Sequence, residues 1–124
     1  MIDEIQKIDP RIKAEFVYVD LGSQDSVRKA AAVIKQTAEK LDILINNAAI
    51  MACPYSKTND GIESQFATNY LGHFLLTNLL LGKILAAGPE ARIVNVSSTA
   101  NRSTGVDFDD YNFHVRFQQL QKGE

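Results

Sequence analysis

Three short stretches of this sequence close an apolar run with compact polar side chains: VDLG at 19–22, INNAA at 45–49 and NVSS at 95–98. They place a carboxylate (Asp20), two adjacent amides (Asn46 and Asn47) and two hydroxyls (Ser97 and Ser98) where strands would stop. Such groups can hydrogen-bond a bound molecule, and Gly22, Ala48 and Ala49 are small enough to let one approach the backbone. Taken singly, an Asp or Ser at a strand end is more often a turn former. Three such ends on one edge of one sheet would line a shared crevice. A further amide, Asn69, sits inside an apolar segment of helical type, where its side chain competes with the backbone and needs a reason.

The segments that must position these groups alternate between two periods. Residues 15–21 (EFVYVDL) are rich in β-branched and aromatic types and predict a strand. Residues 24–40 carry Val27, Ala31, Ile34 and Ala38 at helical spacing, with Ser23 available as N-cap. Residues 41–48 read as a second strand, and CPYSKTND as a loop. Asp60 followed by Glu63 resembles a capping box that opens a long helix to about residue 87, stopped by Gly88-Pro89. Residues 91–97 (ARIVNVS) predict the third strand. Residues 1–14 read as the tail of a helix closed by Asp9-Pro10, and residues 100–124 as an irregular tail. Strand, helix, strand, helix, strand predicts an α/β fold, a doubly wound parallel sheet of three strands with crossover helices. The runs ILI and IVNV suit strands buried on both faces. In such an open sheet ligands bind outside the carboxyl ends of the strands, where the three polar stretches fall.

A chain of 124 residues is enough for one domain with a single core. A charged fraction of 23% and a net charge of −2, with no basic cluster, give no electrostatic case for nucleic acid. The lone Cys53 cannot form an internal disulfide, so an intracellular, cytoplasmic setting is expected, with Cys53 as an apolar filler. The start MIDE has no basic n-region or apolar h-region, and the longest apolar stretch is broken by His73, Asn78 and Lys83.

Four of these stretches together resemble the short-chain dehydrogenase/reductase family. NNAAI is similar to its NNAG strand end, with Ala49 where Gly is usual; VDL is similar to its strand-end acidic motif. SQFATNYLGHFLLT resembles the helix carrying the catalytic-tetrad Asn, and RIVNVSS the strand carrying the catalytic Ser. The tone of NYLGHFLLT resembles the retinol-dehydrogenase-like and related fungal branch. The resemblance implies a Rossmann-like fold and hydride transfer between NAD or NADP and a carbonyl or secondary alcohol of a small lipophilic substrate. It assigns Ser98 and Asn69 to catalysis, Ser98 as a donor to the substrate oxygen and Asn69 as the residue that orders a water in a proton relay. It assigns Asp20 and Leu21 to the adenine, and Asn47, Ala48 and Ala49 to the ribose side of the cofactor. His73, one turn after Asn69, reads as a helix-packing residue.

Two departures accompany the matches. The seven glycines, at 22, 61, 72, 82, 88, 105 and 123, contain no TGxxxGxG turn to cradle a pyrophosphate. Tyr111 stands thirteen residues after Ser98, a family spacing, but Val115 and not Lys follows it by four. The resemblance is therefore to the central part of a family domain, residues 1–124 forming one partial domain. The first two family strands and the C-terminal part with Tyr-x-x-x-Lys are expected to be missing, and the chain to be inactive alone. The alternative is a non-catalytic truncated module or unproductive gene model that self-associates through exposed sheet edges.

Overall fold

The computed structural model describes residues 2–102 and 105–122; residues 103, 104, 123 and 124 of the expected tail lie outside the described residues. Helix α1 (Ile2–Ile8) ends before Asp9-Pro10, as expected. Helix α2 (Gln24–Thr37) starts at Ser23, whose hydroxyl accepts the Ser26 N–H at 3.3 Å. Its small residues Ala30 and Ala31, with Val27, form its buried face. Strand β1 (Ile43–Asn46) leads through a loop into one continuous helix. That helix comprises α3 (Ser64–Phe66), a π-helical segment (Ala67–Leu71) and α4 (Gly72–Leu85). Strand β2 (Arg92–Asn95) follows, then a 3-10 turn (Thr99–Arg102) and α5 (His114–Lys122).

β1 and β2 pair in parallel, with Ile43 opposite Arg92, Leu44 opposite Ile93, Ile45 opposite Val94 and Asn46 opposite Asn95. A parallel pair needs a crossover, and α4 supplies it. The Leu41 N–H donates to the Lys83 carbonyl at 3.0 Å, and the Arg92 N–H to the Asp42 carbonyl at 2.9 Å. The core lies between α2 and α4, where Val27, Ala30 and Ala31 meet Leu80 and Ile84.

The α/β class and the parallel pairing are as expected, but the strand count is corrected. Among the described residues the sheet has two strands, not three. Residues 15–21 run without strand pairing, and Phe16 is 72% exposed. A strand is a two-body object: the β-rich composition is satisfied only when a neighbouring ladder lies about 4.8 Å away. The segment is anchored instead at its end. The Asp20 N–H donates to Ser26 Oγ at 2.9 Å, Asp20 Oδ1 accepts the Gly22 N–H at 2.9 Å, and the Leu21 backbone lies against Gly72 of α4.

Two local expectations also change. Glu63, not Asp60, caps the long helix, its two oxygens accepting the Gln65 and Phe66 N–H groups at 2.9 and 2.8 Å. Asp60 instead takes the Gln24 N–H at 2.9 Å and so caps α2 across the fold. The intervening turn, with Gly61 at φ +76°, swings Asp60 away from its own helix. The tail is not wholly irregular: Asp110 accepts the N–H groups of His114, Val115 and Arg116 and starts α5. Asn112 docks that tail on the loop, donating to the Gly61 carbonyl at 3.1 Å and accepting the Glu63 N–H.

Candidate functional site

The carboxyl ends of β1 and β2 open onto a cleft of about 340 Å³ between the sheet and the long helix. Asn46 (6% exposed) forms its floor. Its Nδ2 donates to Asn95 Oδ1 at 2.8 Å and to Thr77 Oγ1 at 3.0 Å. That answers how a buried strand can end in an amide: both hydrogens are used, one across the sheet and one to the helix. Among the described residues the buried Asn46 Oδ1 has no partner, leaving an acceptor at the cleft floor.

Asn69 lies in the π-helical segment, the extra residue per turn that often marks a functional position. It holds the chain leaving β1 by a reciprocal pair: Nδ2 donates to the Ile50 carbonyl at 2.8 Å, and Oδ1 accepts the Ile50 N–H at 2.9 Å. One turn on, His73 Nε2 meets the Ala48 carbonyl at 2.8 Å. Asn47, Ala48 and Ala49 are exposed beside the cleft, so this segment presents backbone and small side chains outward while the helix holds it from behind.

The residues expected to act together fall into two neighbouring regions. Asn69 lines the first cleft, whose wall reaches Ser97, and Ser98 follows as an exposed residue outside that wall. Asp20 lies on a second cleft of about 270 Å³ beside Lys57, Thr58 and Thr68. Leu21 joins the two regions: it follows Asp20, and its backbone packs on Gly72, three residues after Asn69. Tyr111 is exposed, with its ring 6.0 Å from that of Phe66, on a different hollow with Cys53 and Phe117. His73, expected as a helix-packing residue, also bonds the Ala48 carbonyl, and Thr77 joins the cleft as a partner of Asn46. A signal was present: Asn69, His73 and Thr77 recur every four residues, a polar stripe on one face of an otherwise apolar helix.

The residues suit the two nucleoside-facing parts of a dinucleotide. The exposed Asp20 carboxylate can accept an amino hydrogen, and a larger side chain at Ala48 or Ala49 would occupy the outward surface of the held segment. Among the described residues the positive-φ glycines are Gly61 and Gly88, both in turns rather than at a helix start that could cradle phosphate.

A parallel sheet crossed by a helix, with polar strand ends opening onto one cleft, defines the Rossmann-like α/β class. The short chain dehydrogenase family model matches residues 1–112, and the chain belongs to that family. It is 48% identical over 111 residues to mouse retinol dehydrogenase 13, covering 90% of this chain and 32% of that protein. To the short-chain dehydrogenase/reductase prx1 of Penicillium roqueforti it is 45% identical over 109 residues, covering 86% and 32%. A crystal structure of an uncharacterized Mycobacterium paratuberculosis protein superposes with a TM-score of 0.64 at 43% identity, over 77% of this chain and 32% of that one. The chain thus spans about a third of the length of the curated relatives it matches. Among the described residues no helix is long and apolar enough to cross a membrane.

Proposed function

We propose that this chain supplies the floor and one wall of an NAD(P)-dependent oxidoreductase site, in which hydride passes between the nicotinamide and a carbonyl or secondary alcohol of a small lipophilic substrate. The observation that carries this reading is the Asn69–Ile50 pair, which fixes the strand-end segment against the cleft in a chain of the short chain dehydrogenase family. Asp20 and Leu21 would hold the adenine end, and Asn47, Ala48 and Ala49 the ribose. The nicotinamide cofactor supplies the hydride when bound. Ser98 would donate a hydrogen bond to the substrate oxygen, stabilising the charge that develops there. Asn69, its side chain committed to Ile50, would act by shaping the helix backbone that faces the cleft. The relatives named retinol dehydrogenase support a lipophilic alcohol or aldehyde as substrate.

The test is an NMR titration of the purified chain with NAD and with NADP. Amide shifts concentrated at residues 20, 21 and 47–50 are expected. No shifts at millimolar cofactor, or shifts confined to other surfaces, would sink the reading.

One observation favours a second reading, association through the sheet. The face of the sheet away from α4 carries Ile43, Ile45, Val94 and Val96 in the open, Ile45 at 61% exposure. Both strands also have an unpaired outer edge among the described residues. Light scattering that reports a stable dimer, without any cofactor response, would favour this module over the enzyme part.

A further inference from the structure

His73 and Asn69 stand four residues apart on one helix, and both reach the same three-residue stretch. Asn69 closes two hydrogen bonds on Ile50, and His73 closes one on Ala48. The residue between them, Ala49, makes no side-chain bond of its own; its backbone position is set from both sides. The Ala48 carbonyl can only accept, so the hydrogen of the contact sits on His73 Nε2. Among the described residues the buried His73 Nδ1 has no partner, so a hydrogen placed there would have no acceptor and the Nε2–H tautomer is selected.

We infer that His73 is a positioning residue: its Nε2–H holds the Ala48 carbonyl so that residues 47–49 present a fixed backbone surface to the ribose of the cofactor. The inference rests on the reading of residues 47–49 as a cofactor-facing wall. The ring does not need to touch the cofactor. It acts through the backbone, at the point where the chain has left β1 and has no sheet hydrogen bonds to keep it in place. Asn69 fixes the far end of this stretch and β1 the near end. Without His73, the peptide units of residues 47–49 are the part free to rotate, which would turn carbonyl groups where the ribose is expected to lie.

His73→Phe and His73→Gln separate this role from simple packing. Phe keeps a ring of similar size without a donor. Gln keeps an amide N–H at nearly the same distance from the backbone. Three measurements are made on each: the NMR shift of the Ala48 carbonyl carbon, which reports the hydrogen bond that this carbonyl accepts, the dissociation constant of whichever of NADH and NADPH binds more tightly, and the urea unfolding midpoint. For His73→Phe, the Ala48 carbonyl resonance should move to the position of an unbonded carbonyl and the dissociation constant should rise about fivefold, the weight of one neutral hydrogen bond. His73→Gln should restore both, and the unfolding midpoints of the two variants should agree. An unmoved Ala48 carbonyl resonance in His73→Phe would overturn the inference. So would equal losses in Phe and Gln, which would mean that the ring only packs. If the unmodified chain binds neither cofactor, the ribose reading itself fails, and the carbonyl comparison alone decides whether His73 holds Ala48.

Discussion

Replacing Gly72 by Ala probes the contact that ties the two halves of the site together. A Cβ at position 72 would lie 2.9 Å from the Leu21 carbonyl carbon and from Leu21 Cβ, with the carbonyl oxygen closer still. Carbon–carbon contacts are best at about 3.5–4.0 Å, so the methyl intrudes by roughly 0.6 Å or more on a backbone group with little freedom to retreat. Overpacking of this kind costs about 1–3 kcal/mol. Against it stands a helix-propensity gain of about 1 kcal/mol for Gly to Ala. Gly82 in the same helix is the matched control, because a Cβ there meets nothing within 4 Å. Gly82→Ala should therefore gain about 1 kcal/mol, while Gly72→Ala should be neutral or lose up to about 2 kcal/mol. The propensity contribution is common to both, so the difference between them, about 1–3 kcal/mol, reports the Leu21 contact alone. In urea that is a midpoint separation on the order of 1 M for a protein of this size. Because Asp20 and Leu21 are the proposed adenine contacts, amide shifts in Gly72→Ala should also concentrate at residues 20–22. If Gly72→Ala raises the midpoint as much as Gly82→Ala, the close approach of the helix to Leu21 is wrong.

Two further outcomes follow from the same structure. Thr77→Val keeps the side-chain shape but removes the acceptor for one Asn46 hydrogen, and should cost about 1–2 kcal/mol, or a melting temperature lower by roughly 4 °C per kcal/mol. Thr77→Ser should recover most of it, and a melting temperature unmoved by Val would show that the amide is satisfied elsewhere. Backbone donation to Asp110, from Arg116 above all, holds its carboxyl below the usual carboxylate range; burial opposes it, and the Val115 and His114 N–H groups and the charge of His114 add to the lowering. A carboxylate lowered in the folded state lends stability that is present above its unfolded value of ~3.9 and is lost as pH falls through the lower folded value. Helical amide shifts over residues 114–122 should therefore decay on acidification below about pH 4. Asp110→Asn, which cannot carry the charge, should remove that pH dependence; a decay unchanged in this variant would place its cause in another group.

The sequence was sufficient for α1, α2 and the long helix, for the parallel pairing of β1 and β2, and for the location of the polar strand ends. Those depend on apolar period, on Ser23 as a cap and on Gly88-Pro89 as a stop, all of which act within a few residues of themselves. It was also sufficient for the family resemblance, because strand-end and helix motifs are contiguous in the chain. Only the tertiary structure decided what each of these groups is bonded to. Residues 15–21 have the composition of a strand and no pairing, because a ladder requires a neighbour that local propensity cannot supply. Asp60 caps a helix 36 positions away in sequence instead of its own, because the turn at Gly61 sets the direction of its side chain. Asp110 and Asn112 make a helix start and a docking point from a tail that shows no period. At the site itself, the amides of NNAA read from sequence only as polar groups at a strand end. The fold gives Asn46 to Thr77 and Asn95, and leaves Asn47 outside, because strand register turns successive side chains to opposite faces while the crossover helix lies over only one of them.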